Sequence, residues 1–175
     1  MEGSRLRGAV AKLDPGNIQV KIEGVGLNPQ GGPVVLLAPA GSDGESDKVL
    51  PIFIDQGQAM NIQLALEGQI APRPMTHDLF SAVLNELGAI VEKVVIEELA
   101  QSTFYASLYI QVEKGDQTSV KRFDARPSDC LALAVRVNAP IHVSEQLLEK
   151  AGVRRADIGT IPESEDDEND PGVTR

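Results

Sequence analysis

The chain has 175 residues, 42% of them apolar and 24% charged, which suits one domain with a core of its own, or one domain plus a tail. Trp is absent and aromatics reach only 3%, so the core has to be built from Val, Leu, Ile and Ala, and platforms for base stacking are scarce. The formal net charge of −10 argues against a general polyanion binder, because affinity for nucleic acid rests largely on basic groups displacing counterions; such a role would need a local basic site or a bridging cation.

No apolar run approaches the roughly 18 residues that span a bilayer, and "MEGSRLRGAVAKLDPG" lacks the apolar centre of a signal peptide. The single cysteine, Cys130, rules out an internal disulfide and fits a reducing compartment, so the expected location is the cytoplasm, with no membrane partner. The charge is unevenly placed: seven acids and one base follow from Asp157 onward.

In chain order, residues 1–16 read as a leader ending in the turn signal "DPG". Ile18, Val20 and Ile22 alternate with polar neighbours as a half-buried strand. "GGPVVLLAP" (31–39) and "VLPIFI" (49–54) read as buried strands around a polar loop at 40–48. A first helix is predicted from Gly57 to Glu67, with Ala59, Ile62 and Leu66 on one face and Gly68 as its stop. The prolines of "IAPRPM" exclude helix there. A second helix opens at Thr76, carries Leu79, Phe80, Val83, Leu84 and Leu87 on one stripe, and ends at Gly88. Strands follow at 90–98 and 103–112; in the latter Phe104, Ala106, Leu108 and Ile110 share one face, Tyr105 and Tyr109 the other. "EKGDQ" turns the chain into the strand "SVKRF". A third helix starts near Pro127 and buries Leu131, Ala134 and Val135. "APIHV" is a short strand, and Ser144 caps a last helix with Leu147 and Leu148 that Gly152 stops. The domain is thus expected over 17–156, followed by an acidic disordered tail at 157–175. A weak internal echo aligns "FIDQGQAMNIQLAL" with "FDARPSDCLALAV": each runs strand, aspartate, turn, small-residue helix. The fold class is α+β, a mixed, largely antiparallel sheet with three to four helices packed on it.

Two stretches carry candidate chemistry. In "RPMTHDLF", Thr76 as N-cap and Asp78 near a helix start need no function. His77 is different, since a helix amino terminus disfavours a protonated imidazole; a neutral ring there suits a general base or a metal ligand. In "DARPSD", Pro127 fits the first helical position, but Asp124 ends a strand, where Asp is disfavoured. Arg126 either pairs with Asp124 or Asp129 as a structural knot, or takes a phosphate oxygen while the two carboxylates hold a divalent cation. Glu67 at a helix end and Arg73 before the His77 helix are weaker candidates. His142 reads as a strand residue and Cys130 as packing rather than nucleophile. No Walker A pattern, dinucleotide fingerprint or paired Cys/His zinc signature is present.

The segments "LPIFIDQGQAMNIQLALEG", "PRPMTHDLFSAVLNELGA", "VVIEEL" with "TFYASLYI", and "DARPSDCLALAVRVNAPIHVSEQLLEKAGV", in this order and spacing, closely resemble the bifunctional nuclease domain family over about 17–153. The resemblance implies a compact α+β domain, often a homodimer, with DNase and RNase activity reported for plant members. The motif positions are Glu67, Arg73, Pro74, Thr76, His77, Asp78, Asp124, Arg126, Ser128 and Asp129. The chain departs at Cys130, where alanine is usual, and in its acidic tail.

Two functions of different class are expected from these residues. The first is metal-assisted phosphodiester hydrolysis of DNA or RNA: Asp124, Asp129 and Glu67 or Asp78 hold Mg²⁺ or Mn²⁺, His77 moves the proton, Arg126 or Arg73 stabilises charge, and Thr76 and Ser128 help bind substrate. The second is a non-enzymatic dimeric regulatory or ligand-binding module, with a polar pocket at the His77 and Asp124 helix starts. Proximity separates them: a site requires His77 to lie near Asp124 and Asp129.

Overall fold

The structure, a computed structural model, describes residues 15–41, 48–115 and 117–160, with backbone only at 159 and 160. Most of the expected leader and tail and most of the loop at 40–48 lie outside these residues. The elements are β1 (Asn17–Leu27), β2 (Pro33–Pro39), β3 (Lys48–Phe53), α1 (Gln56–Leu66), α2 (Thr76–Glu86), β4 (Ala89–Ala100), β5 (Thr103–Lys114), β6 (Gln117–Ala125), α3 (Pro127–Val137), β7 (Ile141–Ser144), α4 (Glu145–Ala151) and β8 (Val153–Arg154). A 3₁₀ turn, Arg155–Thr160, continues the folded chain into the first residues of the expected tail.

Among the described residues eight strands form one sheet in the order β6-β5-β4-β7-β1-β2-β3-β8. Only β4 and β7 pair in parallel; the other neighbours are antiparallel, so the α+β class with a mixed sheet holds. Two three-strand meanders, β1-β2-β3 and β4-β5-β6, flank β7. Each meander delivers its last strand into a helix, β3 into α1 and β6 into α3. The echo noted in the sequence corresponds to these two strand-to-helix junctions, whose helices pack on each other.

The core is aliphatic, as the composition requires: Leu37, Leu50, Ile62, Ile96 and Leu131 are fully buried, and no Phe or Tyr is among the buried residues. On β5, Ala106, Leu108 and Ile110 turn into this core, while Tyr109 lies under Lys93 on the other face, the ammonium 4.8 Å from the ring centroid. α3 is the central helix; its Cys130, Leu131, Ala132, Leu133 and Ala134 are all buried, whereas Val135 is only half-buried.

α2 differs from expectation. None of its residues is buried, and Leu79 and Leu87 are 59% and 70% exposed. Only Leu84 of the predicted stripe packs against the core, because α3 already covers β4 and β5 and leaves α2 at the edge of the helical layer.

The helix ends follow local chemistry. Asp55 caps α1 through a reciprocal pair: its Oδ1 accepts the Gln58 amide at 2.8 Å, and Gln58 Oε1 accepts the Asp55 amide at 3.0 Å. Gly68 and Gly88 sit just past α1 and α2 at φ +63° and +67°, the left-handed stop that glycine tolerates. Ser144 caps α4 by accepting the Leu147 amide at 3.1 Å. Gly152, which ends α4, is needed for space instead: a Cβ there would lie 2.2 Å from the Leu148 carbonyl oxygen. Gly152→Ala is therefore expected to cost about 2 kcal/mol in urea denaturation, at the upper part of ordinary point-mutant effects. A change below about 0.5 kcal/mol would show that the α4 carboxyl end yields freely.

Candidate functional site at the amino end of helix three

The strand-to-helix junction at β6–α3 places Arg126 as N-cap residue, with extended backbone, and Pro127 at the first helical position. Proline lacks an amide donor, so nothing is lost at that position. Asp129 points back over the turn and is clamped from two sides. Arg126 Nε donates to its Oδ2 at 2.9 Å, and His77 Nε2 lies 3.2 Å from its Oδ1. His77 arrives from the first turn of α2, so residues 52 apart in sequence converge; of the two aspartates that a site was expected to bring to His77, Asp129 is there and Asp124 is not.

The electrostatics follow from these bonds. Partial burial pulls the Asp129 carboxyl up, but the bonds from Arg126 and His77 outweigh it and hold the group below the usual carboxylate range. Because Asp129 is ionised, His77 Nε2 carries the proton and donates. The other ring nitrogen, Nδ1, is buried and has no partner among the described residues. The imidazole thus has no lone pair facing solvent. The Arg126 guanidinium, by contrast, is 69% exposed and has Asp129 as its only ion-pair partner among the described residues.

Asp78 does not join this cluster. Its carboxylate accepts from Arg136 Nε at 2.6 Å and from the Met75 amide at 2.8 Å. The N-cap of α2 is accordingly Met75, not Thr76; Thr76 is the first helical residue, and Asp78 supplies the capping acceptor three positions on. Arg136 is 10% exposed and also donates to the Ala132 and Asn61 carbonyls, tying α3 to α1 and α2.

The bond from Arg136, aided by the Met75 amide, holds Asp78 below its ordinary range. Folded pKa values lowered at Asp78 and Asp129 mean that the unfolded chain takes up protons first as pH falls. The resulting stability is present above the unfolded value near 4 and is lost as pH falls through the lower folded values. Asp78→Asn is expected to flatten the fall in urea midpoint between about pH 5 and pH 2. An unchanged slope would show that the Arg136 bond contributes nothing to acid stability.

The other expected site residues lie apart. Asp124 is paired in register with Ser107, on the sheet face opposite the one formed by Ala106 and Leu108. Glu67 is exposed at the carboxyl end of α1, where its oxygens accept from the side chains of Gln63 and Gln69. The expected set Asp124, Asp129 and Glu67 is therefore not assembled; among the described residues no group of three His, Cys, Asp or Glu side chains could hold a metal ion. Arg73 and Thr76 are exposed before and at the start of α2. Cys130 is buried, and burial, with the carboxylates of Asp129, Asp124 and Glu97, pushes its thiol up to about 12. An unreactive packing thiol agrees with the reading from sequence.

Beside the cluster opens a cleft of ≈ 630 Å³, within the range of small-molecule sites. Arg126, Pro127 and Ser128 form part of its wall; Phe53 and Ile54 of the β3–α1 junction, Phe104 of β5 and Lys150 of α4 form others. Ser128 is 6% exposed. Among the described residues neither its amide N–H nor its hydroxyl has a hydrogen-bond partner. Of the expected substrate-binding residues Arg73, Thr76 and Ser128, only Ser128 lines the cleft.

Residues 37–156 match the Bifunctional nuclease domain family. The chain belongs to that family. Among its relatives, an uncharacterized protein of Mycobacterium tuberculosis strain H37Rv is 38% identical over 151 residues, covering 86% of this chain and 82% of the relative. Bifunctional nuclease 2 of Arabidopsis thaliana is 27% identical over 173 residues, covering 92% of this chain and 52% of the plant protein. Bifunctional nuclease 2 of Oryza sativa subsp. japonica is 29% identical over 109 residues, covering 62% and 33%. The chain thus spans about half or less of these plant relatives.

Within this bifunctional nuclease domain the sequence reading missed Arg136 and the cleft. Arg136 left a signal, a lone base in the last turn of the apolar run "LALAVRV". The cleft left none, because its walls come from segments spread between Pro51 and Val153. Among the described residues no helix is long and apolar enough to cross a membrane.

Proposed function

We propose that this member of the bifunctional nuclease domain family hydrolyses phosphodiester bonds of nucleic acid at the amino end of α3. The reading rests on one observation above all. Ser128, nine-tenths buried at a helix amino terminus, offers an unused amide and an unused hydroxyl beside an exposed arginine at a cleft. Free amides, a favourable dipole and a guanidinium together suit a phosphate.

The chain's own residues then divide the work. An entering phosphate draws Arg126 away from Asp129, and Arg126 and the Ser128 amide neutralise charge as it develops on the equatorial oxygens. Asp129 keeps its bond from His77 Nε2, which fixes the carboxylate, while the freed Oδ2 takes a proton from the attacking water; as the water oxygen bonds to phosphorus the P–O bond to the leaving oxygen breaks, and Asp129 returns the proton to that oxygen. His77 is a positioning residue here rather than the base, since its Nδ1 is buried. No step is routed through a divalent cation, because the expected donors do not converge.

The buried Nδ1 also favours a second reading, in which the same groups bind an anionic ligand without turning it over. The experiment that separates them is turnover of bis(p-nitrophenyl) phosphate and of a short DNA oligonucleotide by purified protein. It is run in Mg²⁺, in Mn²⁺ and in EDTA, with Asp129→Asn beside the parent. Turnover that vanishes in the folded variant supports hydrolysis; saturable phosphate binding without turnover supports the binding module.

A further inference from the structure

Only 3% of the chain is aromatic, yet two of its four phenylalanines, Phe53 and Phe104, line the cleft beside Arg126 and Ser128. They come from β3 and β5, which are not neighbours in the sheet. Ile54, Leu99 and Pro51 add to the apolar lining, while Arg126 and Lys150 bring positive charge and Ser128, Gln58, Gln101, Ser102 and Thr103 bring polar groups. A phosphate alone would use Arg126 and Ser128 and leave the apolar walls wet. A ligand that meets both the phenylalanines and Arg126 with Ser128 carries a flat apolar group attached to a phosphate, which is the chemistry of a nucleotide.

We infer that the cleft receives one unpaired nucleobase against Phe53 and Phe104 while the adjoining phosphate sits on Arg126 and Ser128. The substrate class is thus a single strand, or the end of a short oligonucleotide, and not a duplex. The binding claim stands on the cleft; calling its ligand a substrate rests on the phosphodiester reading above. Size and charge exclude the duplex. A cleft of ≈ 630 Å³ admits a base only once it has left its stack. A chain of net charge −10, with one Arg and one Lys lining the cleft, offers no track for successive duplex phosphates. Stacking on phenylalanine is tolerant of base identity, so little sequence preference is expected.

The test is equilibrium binding by calorimetry, which needs no turnover, using the full chain with inorganic phosphate, the dinucleoside monophosphate d(ApA) and a short blunt duplex as probes. The parent is expected to bind d(ApA) at least about tenfold more tightly than phosphate, as one base–aromatic contact provides. Phe104→Ala should erase that advantage and leave phosphate binding in place, whereas Arg126→Ala should weaken both. Because Phe104 is half-buried, Phe104→Leu is measured too; it keeps the apolar volume but removes the ring face. Equal binding of phosphate and d(ApA), or a duplex that competes as well as a single strand, would overturn the inference. Tight d(ApA) binding with no cleavage would leave the base pocket standing and sink the phosphodiesterase reading. Cleavage of duplex and single strand at equal rates would do the reverse.

Discussion

Asp129→Asn is expected to lower phosphodiester turnover about 10²- to 10³-fold while the fold survives. Asparagine has nearly the same shape, so its carbonyl can still accept the His77 Nε2 proton that fixes the side chain in the native protein at 3.2 Å. It has no negative charge to hold Arg126 between substrates and no basic oxygen to take a proton from water. The loss should therefore fall on kcat more than on KM. Circular dichroism and a urea titration of the variant show whether the fold is intact. A folded variant with parental kcat would remove Asp129 from the chemistry.

Arg126→Ala is expected to reduce kcat/KM by about 10²- to 10³-fold, the usual cost of removing one donor aimed at developing charge. Both KM and kcat should suffer, because Arg126 meets the phosphate before and during reaction. Stability should hardly change, since the Arg126 side chain is 69% exposed and its pair with Asp129 is screened by water. Arg126→Lys should recover only part of the activity, because an ammonium cannot present the planar fork that spans two phosphate oxygens. Full recovery by lysine would mean that only positive charge matters at this position. Unchanged kcat/KM in Arg126→Ala would place phosphate elsewhere.

Local rules were legible where a single segment sets the outcome. Alternation along β5, the glycine stops at Gly68 and Gly88, the Ser144 cap and Pro127 at the start of α3 all read directly from neighbouring residues. Sequence spacing also located the two helix starts from which His77 and Asp129 meet. What it could not supply was direction across the fold. Asp124 and Asp129 are five positions apart in one motif, yet the strand-to-helix switch between them turns their side chains to different sides of the sheet. The apolar stripe of α2 satisfied helical periodicity, but whether such a stripe is covered depends on which helix takes the sheet centre, and here α3 does. Thr76 was a good cap by type; Asp78 won because its longer reach returns to the Met75 amide. Arg136 and the aromatic walls of the cleft depend on contacts between distant segments, which one sequence does not encode locally.

The most direct test of the account sets Asp129 against Asp124. Both belong to "DARPSD" and both are obvious candidates by residue type, but only Asp129 lies with His77 and Arg126 beside the cleft. Initial rates on a single-stranded oligonucleotide, measured for the parent, Asp124→Asn and Asp129→Asn under identical conditions, decide the matter. Activity near the parental rate in Asp124→Asn with loss in Asp129→Asn is the predicted result. Loss in Asp124→Asn with activity retained in Asp129→Asn would contradict the placement of the site at the amino end of α3.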